Sequence, residues 1–479
     1  MKNYFPLMIA NAPSKSGIQT VTAPFDGSSI AEIETASFEH VDIALQNAYA
    51  LYKKRSEWLP PSRRIEILGK AIHIMASQRE SLAVDAAREG GKPLIDSRVE
   101  VARAIDGLKI CIEHLRTHAG TVIPTNISAA SSQRLAFTQK EPIGVVVAVS
   151  AFNHPLNLIV HQVGAAVVAG CPTIVKPAKD TPLSCLRFVQ ILRDAGLPDA
   201  WCQVVIAEDR EVATKLVTDS RVGFFSFIGS AKIGWMLRSK LAHGTRCALE
   251  HGGAAPVIVA QDADLDTVVP SLSKGSFYHA GQVCVSVQRV FAHESIASTL
   301  AERLATAAKQ LKIGDPTQAE TDIGPLIRHA EVKRVHQWVS EAIDVGAERL
   351  SGGEPISDSC YPATVLFNPP LDAKVSRQEI FGPVVCVYSY RDMDEAITQA
   401  NSLPYAFQAA VFTKDLDTAL RAYRQLDASA VMVNDHTAFR IDGMPFAGLK
   451  ESGLGVGGIP YTIEDMQVEK MMVIKSVEL

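Results

Sequence analysis

From residue 38 to residue 118 apolar positions return every three to four residues with charges between them, as in His40–Tyr52 and Arg63–Ala76. That spacing predicts a run of amphipathic helices. Residues 120–140 break the pattern. They are polar and rich in Ser and Thr, which suits a hairpin or arm outside the main core. From Ile143 short apolar runs alternate with helical stretches. Strands are predicted at Ile143–Phe152, Pro172–Val175, Val204–Ile206 and Phe224–Phe227, with helices at His154–Ala169, Pro182–Ala195, Arg210–Thr218 and Ala231–Leu241. This rhythm predicts right-handed strand–helix–strand units and a parallel sheet covered on both faces. Such sheets bind ligands beyond the carboxyl ends of their strands. A second alternation starts with the strand Pro256–Ala260. Helices at Asp264–Ala280 and Ile296–Leu311 follow, then more strands and helices through Ala430. Glu469–Val477 reads as a terminal strand.

Length and composition narrow the class. A chain of 479 residues is long enough for two or three structural units. Hydrophobic residues are 47% and charged residues 21%, which excludes a disordered or fibrous protein. The formal charge is −5 with no basic block, so nucleic acid is not an expected partner. No uncharged apolar run approaches the ~18 residues a bilayer requires. Met1–Pro13 is a poor signal peptide, so a cytoplasmic location is expected. The eight cysteines are scattered without a Cys-x-x-Cys pair and read as free thiols, most of them small buried hydrophobes.

Four segments carry candidate chemistry. Phe152-Asn153-His154-Pro155 follows a buried strand, where a side-chain amide faces the crevice and can donate to a developing oxyanion; an Asx turn before a helix is the plain alternative. Gly281-Gln282-Val283-Cys284 is a Gly-led turn able to expose a thiol among backbone N–H groups, although a lone Cys is more often inert. Leu249-Glu250-His251-Gly252-Gly253 sets a carboxylate beside glycines, as a general base needs; otherwise Glu250 is a surface residue in a turn. Ile228-Gly229-Ser230-Ala231-Lys232-Ile233-Gly234 joins a strand to a helix and lets the backbone approach a phosphate. Lys176 ends another strand within reach of ribose hydroxyls. No Cys/His cluster has zinc spacing, and His329 and His336 lie on a charged helix, so no catalytic metal is expected.

Taken together, PIGVVVAVSAFNHPLN, IVKPAKDTPLS, SFIGSAKIG, LEHGG, GQVC, EIFGPV and PFAGLKESGLG resemble, in order and over essentially the whole chain, the NAD(P)-dependent aldehyde dehydrogenase superfamily. The resemblance implies an α/β fold of three parts: a Rossmann-like cofactor domain (1–119 and 141–248), a second α/β catalytic domain (249–462) and a β-arm for oligomerisation (120–140 and 463–479). It implies a homodimer or homotetramer. It implies oxidation of an aldehyde to a carboxylic acid with reduction of NAD(P)+. Cys284 forms a thiohemiacetal, Asn153 and the Cys284 N–H hold the oxyanion, and Glu250 activates water against the thioester. Phosphorylating and coenzyme-A-using relatives lack a Glu like Glu250. Lys176 would bond the adenine ribose. Gly229, Ser230 and Gly234 belong to the phosphate turn, Glu379 to the nicotinamide ribose, and Phe381 packs near the ring. The substrate pocket implied by position comprises Phe152, His154, His161, Tyr278, Val283, Val285, Phe439, Arg440 and Phe446.

The departures carry information too. Lys179 stands where many NAD-preferring relatives have Glu, so it favours a 2′-phosphate and NADP over NAD, unless it turns to solvent or pairs with Asp180. His251 stands where many have Leu, and Ala447 where many have Gly. His251 can shift the Glu250 pKa or simply bond the backbone. Succinate-semialdehyde relatives carry Arg at the positions of His161 and Tyr278, which argues against a dedicated carboxylate clamp. Arg440 can read an anionic tail or form a structural ion pair. Hydroxyaldehydes, aromatic aldehydes and modest aliphatic aldehydes all stay open, though NDHTAFR also resembles lactaldehyde-type and benzaldehyde-type members. Two rival functions remain. A catalytically idle structural or binding relative would lack Cys284, Glu250 or Asn153. A thiol esterase would need neither Lys176, the Gly229 turn nor Glu379.

Overall fold

A computed structural model describes residues 3–479, so the first two residues of the Met1–Pro13 stretch lie outside the described residues. The two alternating stretches of the sequence build two sheets. In the first, the order is Gly453–Leu454, Arg246–Glu250, Val222–Ile228, Val145–Val149, Thr173–Lys176, Cys202–Val204. All pairs are parallel except Gly453–Leu454, which joins antiparallel. Val145–Val149 shows why a continuous apolar run suits this place. Val145, Val147 and Val149 enter one core with Val41 and Leu45 of the helix Phe38–Lys53. Val146 and Ala148 enter the other core, with Ile67 of the helix Pro61–Ser77, Leu108 of Leu94–Thr117 and Leu186 of Leu183–Asp194. The period of two sends alternate side chains to opposite faces, and both faces are covered. Each fully buried Val contributes about 1.5–3 kcal/mol.

After Val145–Val149 the chain adds Thr173–Lys176 and Cys202–Val204 on one side, then returns to add Val222–Ile228 on the other. That reversal leaves a crevice between the carboxyl ends of Val145–Val149 and Val222–Ile228.

The second sheet runs Glu348–Ser351, Thr364–Phe367, Val384–Tyr390, Arg289–His293, Pro256–Val259, Gln408–Phe412, Ala430–Val433. Only Glu348–Ser351 is antiparallel. A third sheet pairs Gln467–Lys475 with Arg134–Pro142, and Val122–Ile123 with the latter's other edge. It joins part of the 120–140 stretch to the strand expected at Glu469–Val477, here Gln467–Lys475, and Met471, Met472, Val473 and Ile474 are exposed on it. A small N-terminal sheet of Asn3–Phe5, Ser29–Thr35 and Gly17–Thr22 was not anticipated.

Several expected boundaries move. The strand near 204 is Cys202–Val204; beyond it Val205 N still donates to Val175 O at 2.9 Å, while Ile206 O accepts from Ala36 N instead. The helix expected over Asp264–Ala280 stops at Phe277, since His279 and Ala280 take left-handed φ of 48° and 54°. The helical stretch expected over His154–Ala169 begins at Asn157 and contains a π turn at Val160–Gly164. The stretch 249–462 is not uniform. Gly453–Leu454 completes the first sheet, and Ile459 and Ile463 of the helix Ile459–Asp465 pack into the first core. Among the described residues no helix is long and apolar enough to cross a membrane.

Candidate active site

A cavity of about 970 Å³ opens where the two large sheets face each other. Cys284, Glu250 and Asn153 all line it. Cys284 reaches it through a tight reversal. His279, Ala280 and Gly281 have consecutive positive φ, and a Cβ on Gly281 would lie 2.1 Å from the Gly382 carbonyl oxygen. Only glycine fits there. Gln282 then pins the loop, its Nε2 donating to Pro325 O at 3.3 Å and its Oε1 accepting from Ile327 N at 2.9 Å. Asn153 Nδ2 donates to Gln282 O at 2.9 Å, so the amide is tied to the thiol loop. Burial pushes the Cys284 thiol up to about 12, helped by Glu250, while Arg440 opposes.

Glu250 ends the strand Arg246–Glu250, and its carbonyl accepts from Gly229 N at 3.0 Å. Burial raises its carboxyl above the ordinary carboxylate range, with Arg440 pulling the other way. Gly457 makes room for it, because a Cβ there would fall 2.1 Å from Glu250 Oε1.

At the other end Gly229 and Ser230 line the cavity just before the helix Ala231–Arg238. His251 Nδ1 pairs with Gly229 O at 2.8 Å and fixes the turn, so of the two roles open to His251 the backbone bond is the one seen. Gly234 does not line the cavity. A Cβ on it would lie 2.0 Å from His251 Cε1, so its missing side chain accommodates that ring rather than a phosphate. Glu379 accepts from Gly253 N at 3.2 Å, and burial pushes its carboxyl up to about 7. A Cβ on Gly252 would overlap it at 1.6 Å. Phe381 meets Phe152 edge-on, ring centroids 5.8 Å apart. Lys176 does not line the cavity, and its Nζ donates to Pro177 O at 3.1 Å. Lys179 is exposed and close enough to lower the Lys176 pKa. Asp180 binds Arg328 instead of Lys179.

Phe152, His154, Tyr278, Val283, Val285, Phe439, Arg440 and Phe446 also line the cavity. His161 does not. Its Nε2 turns away to Asp442 Oδ1 at 2.7 Å, which removes it from the expected pocket. Tyr278 OH and His154 Nε2 are 3.3 Å apart. Burial, then Lys92 and Arg103, hold His154 well below its usual pKa. The structural ion pair considered for Arg440 is not formed: its Nε and Nη2 make no hydrogen bond, and its guanidinium lies 3.6 Å from the Phe446 ring centroid. Arg103, Asp442, Gln282 and His436 were missed. Arg103 and Asp442 are 339 residues apart, so no local pattern announces their pairing. Among the described residues His114, His118 and Glu464 form the only metal-competent group, and none of them lines this cavity.

The aldehyde dehydrogenase family model matches residues 11–472. This chain belongs to the aldehyde dehydrogenase family. The 3-sulfolactaldehyde dehydrogenase of Priestia aryabhattai is 38% identical over 444 residues, 93% of this chain and 92% of that protein. Aldehyde dehydrogenase 21 from Physcomitrella patens, crystallised with the reaction product succinate, is 34% identical with a TM-score of 0.95 over 100% of this chain and 99% of that one. The glyceraldehyde-3-phosphate dehydrogenase of Methanocaldococcus jannaschii, complexed with NADP, is 34% identical with a TM-score of 0.90 over 97% of this chain and 100% of that one. The family, the α/β fold and the enzyme class expected from the sequence therefore stand: an NAD(P)-dependent aldehyde dehydrogenase, using a nicotinamide cofactor and an aldehyde.

Proposed function

We propose that this enzyme oxidises an aldehyde to its carboxylic acid by covalent catalysis at Cys284, with Asn153 as oxyanion donor, Glu250 as general base and NADP+ as the preferred oxidant. One observation carries the reading: thiol, carboxylate and amide share one cavity, and the Asn153 amide is bonded to the carbonyl two residues before the thiol. A dinucleotide suits the far end. The Gly229–Ser230 turn opens the helix Ala231–Arg238, whose N-terminus favours a phosphate. Buried Glu379 offers carboxylate oxygens to ribose hydroxyls. When bound, NAD(P)+ accepts a hydride.

Glu250 takes the Cys284 proton, which passes to solvent, and the sulfur bonds the aldehyde carbon. The remaining Asn153 N–H and the Cys284 N–H hold the resulting oxyanion, one such donor being worth about 2.7–4 kcal/mol. The carbon loses its hydrogen with the bonding pair and becomes a Cys284 thioester. Glu250 then removes a proton from water, the oxygen attacks the thioester, and the acid leaves as the sulfur regains that proton. Lys179 supports NADP+ because its charge is near enough to Lys176 to lower that group's pKa and it is unclaimed by Asp180. The exposed apolar residues of Gln467–Lys475 support assembly into a homodimer or homotetramer through the arm. Light scattering on the purified chain checks that state.

The decisive experiment couples absorbance at 340 nm to intact mass. Cys284→Ser should lower kcat by at least about 10⁴-fold, and Glu250→Gln should accumulate an acylated Cys284. Turnover at the normal rate by Cys284→Ser would overturn the reading. Because Glu250 acts as the carboxylate and burial raises its pKa, hydrolysis should fall with decreasing pH at values above the ~4.3 of free Glu. Single-turnover hydrolysis against pH reads this limb, and Glu250→Gln should erase it. Cofactor-independent ester cleavage without aldehyde-dependent NAD(P)H would instead favour the esterase.

A further inference from the structure

The helical stretch that starts at Asn157 has backbone N–H groups at its head with no partner inside the helix. A nearby side chain commonly satisfies such groups, and an Asn does so by accepting from the N–H two or three residues on. Asn153 stands three residues before Leu156, in the place for that task. It does not perform it. Its amide donates across the cavity to Gln282 O at 2.9 Å, and no side chain of the turn caps the stretch.

The cap comes instead from 56 residues away. Glu100 Oε1 accepts from Leu156 N at 2.8 Å and from Asn157 N at 2.9 Å. Its Oε2 accepts from Lys92 Nζ at 2.5 Å, and neither side chain reaches solvent. Burial lowers the Lys92 pKa, and Glu100 opposes that shift. The carboxylate also has a fixed origin. Asp96, Glu100 and Arg103 follow one another at i, i+4 and i+7 along one stripe of the helix Leu94–Thr117. Asp96 accepts from Lys274 at 2.9 Å, in the helix that leads to the Cys284 loop. Arg103 holds Asp442 through Nε at 3.1 Å and Nη2 at 2.6 Å. Val101, Ala104, Ile105 and Leu108 of the same helix lie in the first core. One rigid helix thus reaches three segments of the site, and the Glu100 contact is the one that meets the Asn153 turn.

A buried N–H without an acceptor is costly. Without Glu100, the side-chain oxygen of Asn153 is the acceptor that the local sequence offers to Leu156 N. Turning there would withdraw its amide from Gln282 O. Resting on the reading that Asn153 donates to the oxyanion, we propose that Glu100, charge-balanced by Lys92, is a positioning residue of the reaction: by capping Leu156 and Asn157 it frees the Asn153 side chain from the helix and leaves its amide to the thiol loop and the oxyanion.

Removing Glu100 alone would strand Lys92 as a buried cation, so the pair is changed together. Lys92→Met/Glu100→Leu fills the space but leaves the two N–H groups no acceptor. Lys92→Met/Glu100→Gln keeps one carbonyl oxygen for them. With the full enzyme and absorbance at 340 nm, the Leu pair should lower kcat about 100-fold, with aldehyde KM and dinucleotide affinity within about threefold of wild type. The Gln pair should regain at least about tenfold of that loss. In an Asn153→Ala background the Leu pair should cost less than about threefold more, because the group it acts through is gone. Glu100→Asp keeps Lys92 paired but draws the oxygens back. It repeats the cycle if the Leu pair does not fold, with an expected loss in kcat of about tenfold that again disappears in Asn153→Ala. A loss of the same size with and without Asn153, a loss that Gln does not relieve, or kcat at the wild-type value in the Leu pair or in Glu100→Asp would overturn the proposal. Full turnover by Asn153→Ala itself would defeat the oxyanion reading on which it rests.

Discussion

The two large sheets face the same cavity with opposite ends. The first presents carboxyl ends: Val149 leads to Asn153, Ile228 leads to Gly229, and Glu250 closes its strand. The second presents amino ends: Cys284 precedes Arg289–His293, Glu379 and Phe381 precede Val384–Tyr390, and Gly252 and Gly253 precede Pro256–Val259. The carboxyl-end rule for open α/β sheets thus accounts for one half of the site only. The difference has a physical basis. Strand ends that run into helix N-termini suit phosphate and ribose, because free N–H groups gather there. A nucleophile needs a defined sulfur position instead, and a strained loop braced on both sides provides it. The hydrogen bond from Asn153 to Gln282 O is where the two halves touch chemically.

That contact offers the sharpest way to break the comparison. Asn153→Ala removes from the first sheet a group proposed to serve the chemistry of the second. Steady-state kcat should drop by about 10²–10³-fold, while fluorescence titration finds dinucleotide affinity little altered. Gly281→Ala attacks the second sheet alone. Its Cβ cannot coexist with Gly382 O, so the thiol must shift, and kcat should fall about 10²-fold. Dinucleotide binding to the first sheet again reports whether the damage stays local. Lys179→Glu changes only the first sheet's selectivity. The ratio of kcat/KM for NADP+ over NAD+ should decrease about tenfold, and less at high salt. A ratio unmoved by this substitution would remove Lys179 from cofactor choice.

How far these features can be read from sequence depends on how local their causes are. The alternation over 143–238 is legible because each strand and helix carries its own pattern and its own stop, as at Gly170 and Gly196, both with positive φ. The arm is legible because residues 120–140 and 469–477 each depart from the helical rhythm. Cys284, Glu250 and Asn153 stand in short motifs whose neighbours shape the turn. Other features depend on contacts between distant segments. His161 reads as a pocket residue by position, but Asp442 turns it away from across the fold. Gly234 resembles the second glycine of a phosphate turn, but His251 claims its space. The helix over 264 onward ends three residues early because Tyr278–Gly281 must double back toward Cys284, and nothing in those four residue types demands it. The isolation of Arg440 is the least legible of all, since it follows from Arg103 already holding Asp442.

The short strand Gly453–Leu454 has a bearing on how the protein is made. Glu250 lies opposite Gly453, so the sheet begun near residue 145 gains its edge strand only after every strand of the second sheet has been translated. A ribosome-bound chain halted at residue 445 should leave the Arg246–Glu250 edge open and protease-sensitive, and a chain extended past Leu454 should close it. Vectorial translation thereby puts completion of the strand end that carries Glu250 after the whole of the second sheet has emerged.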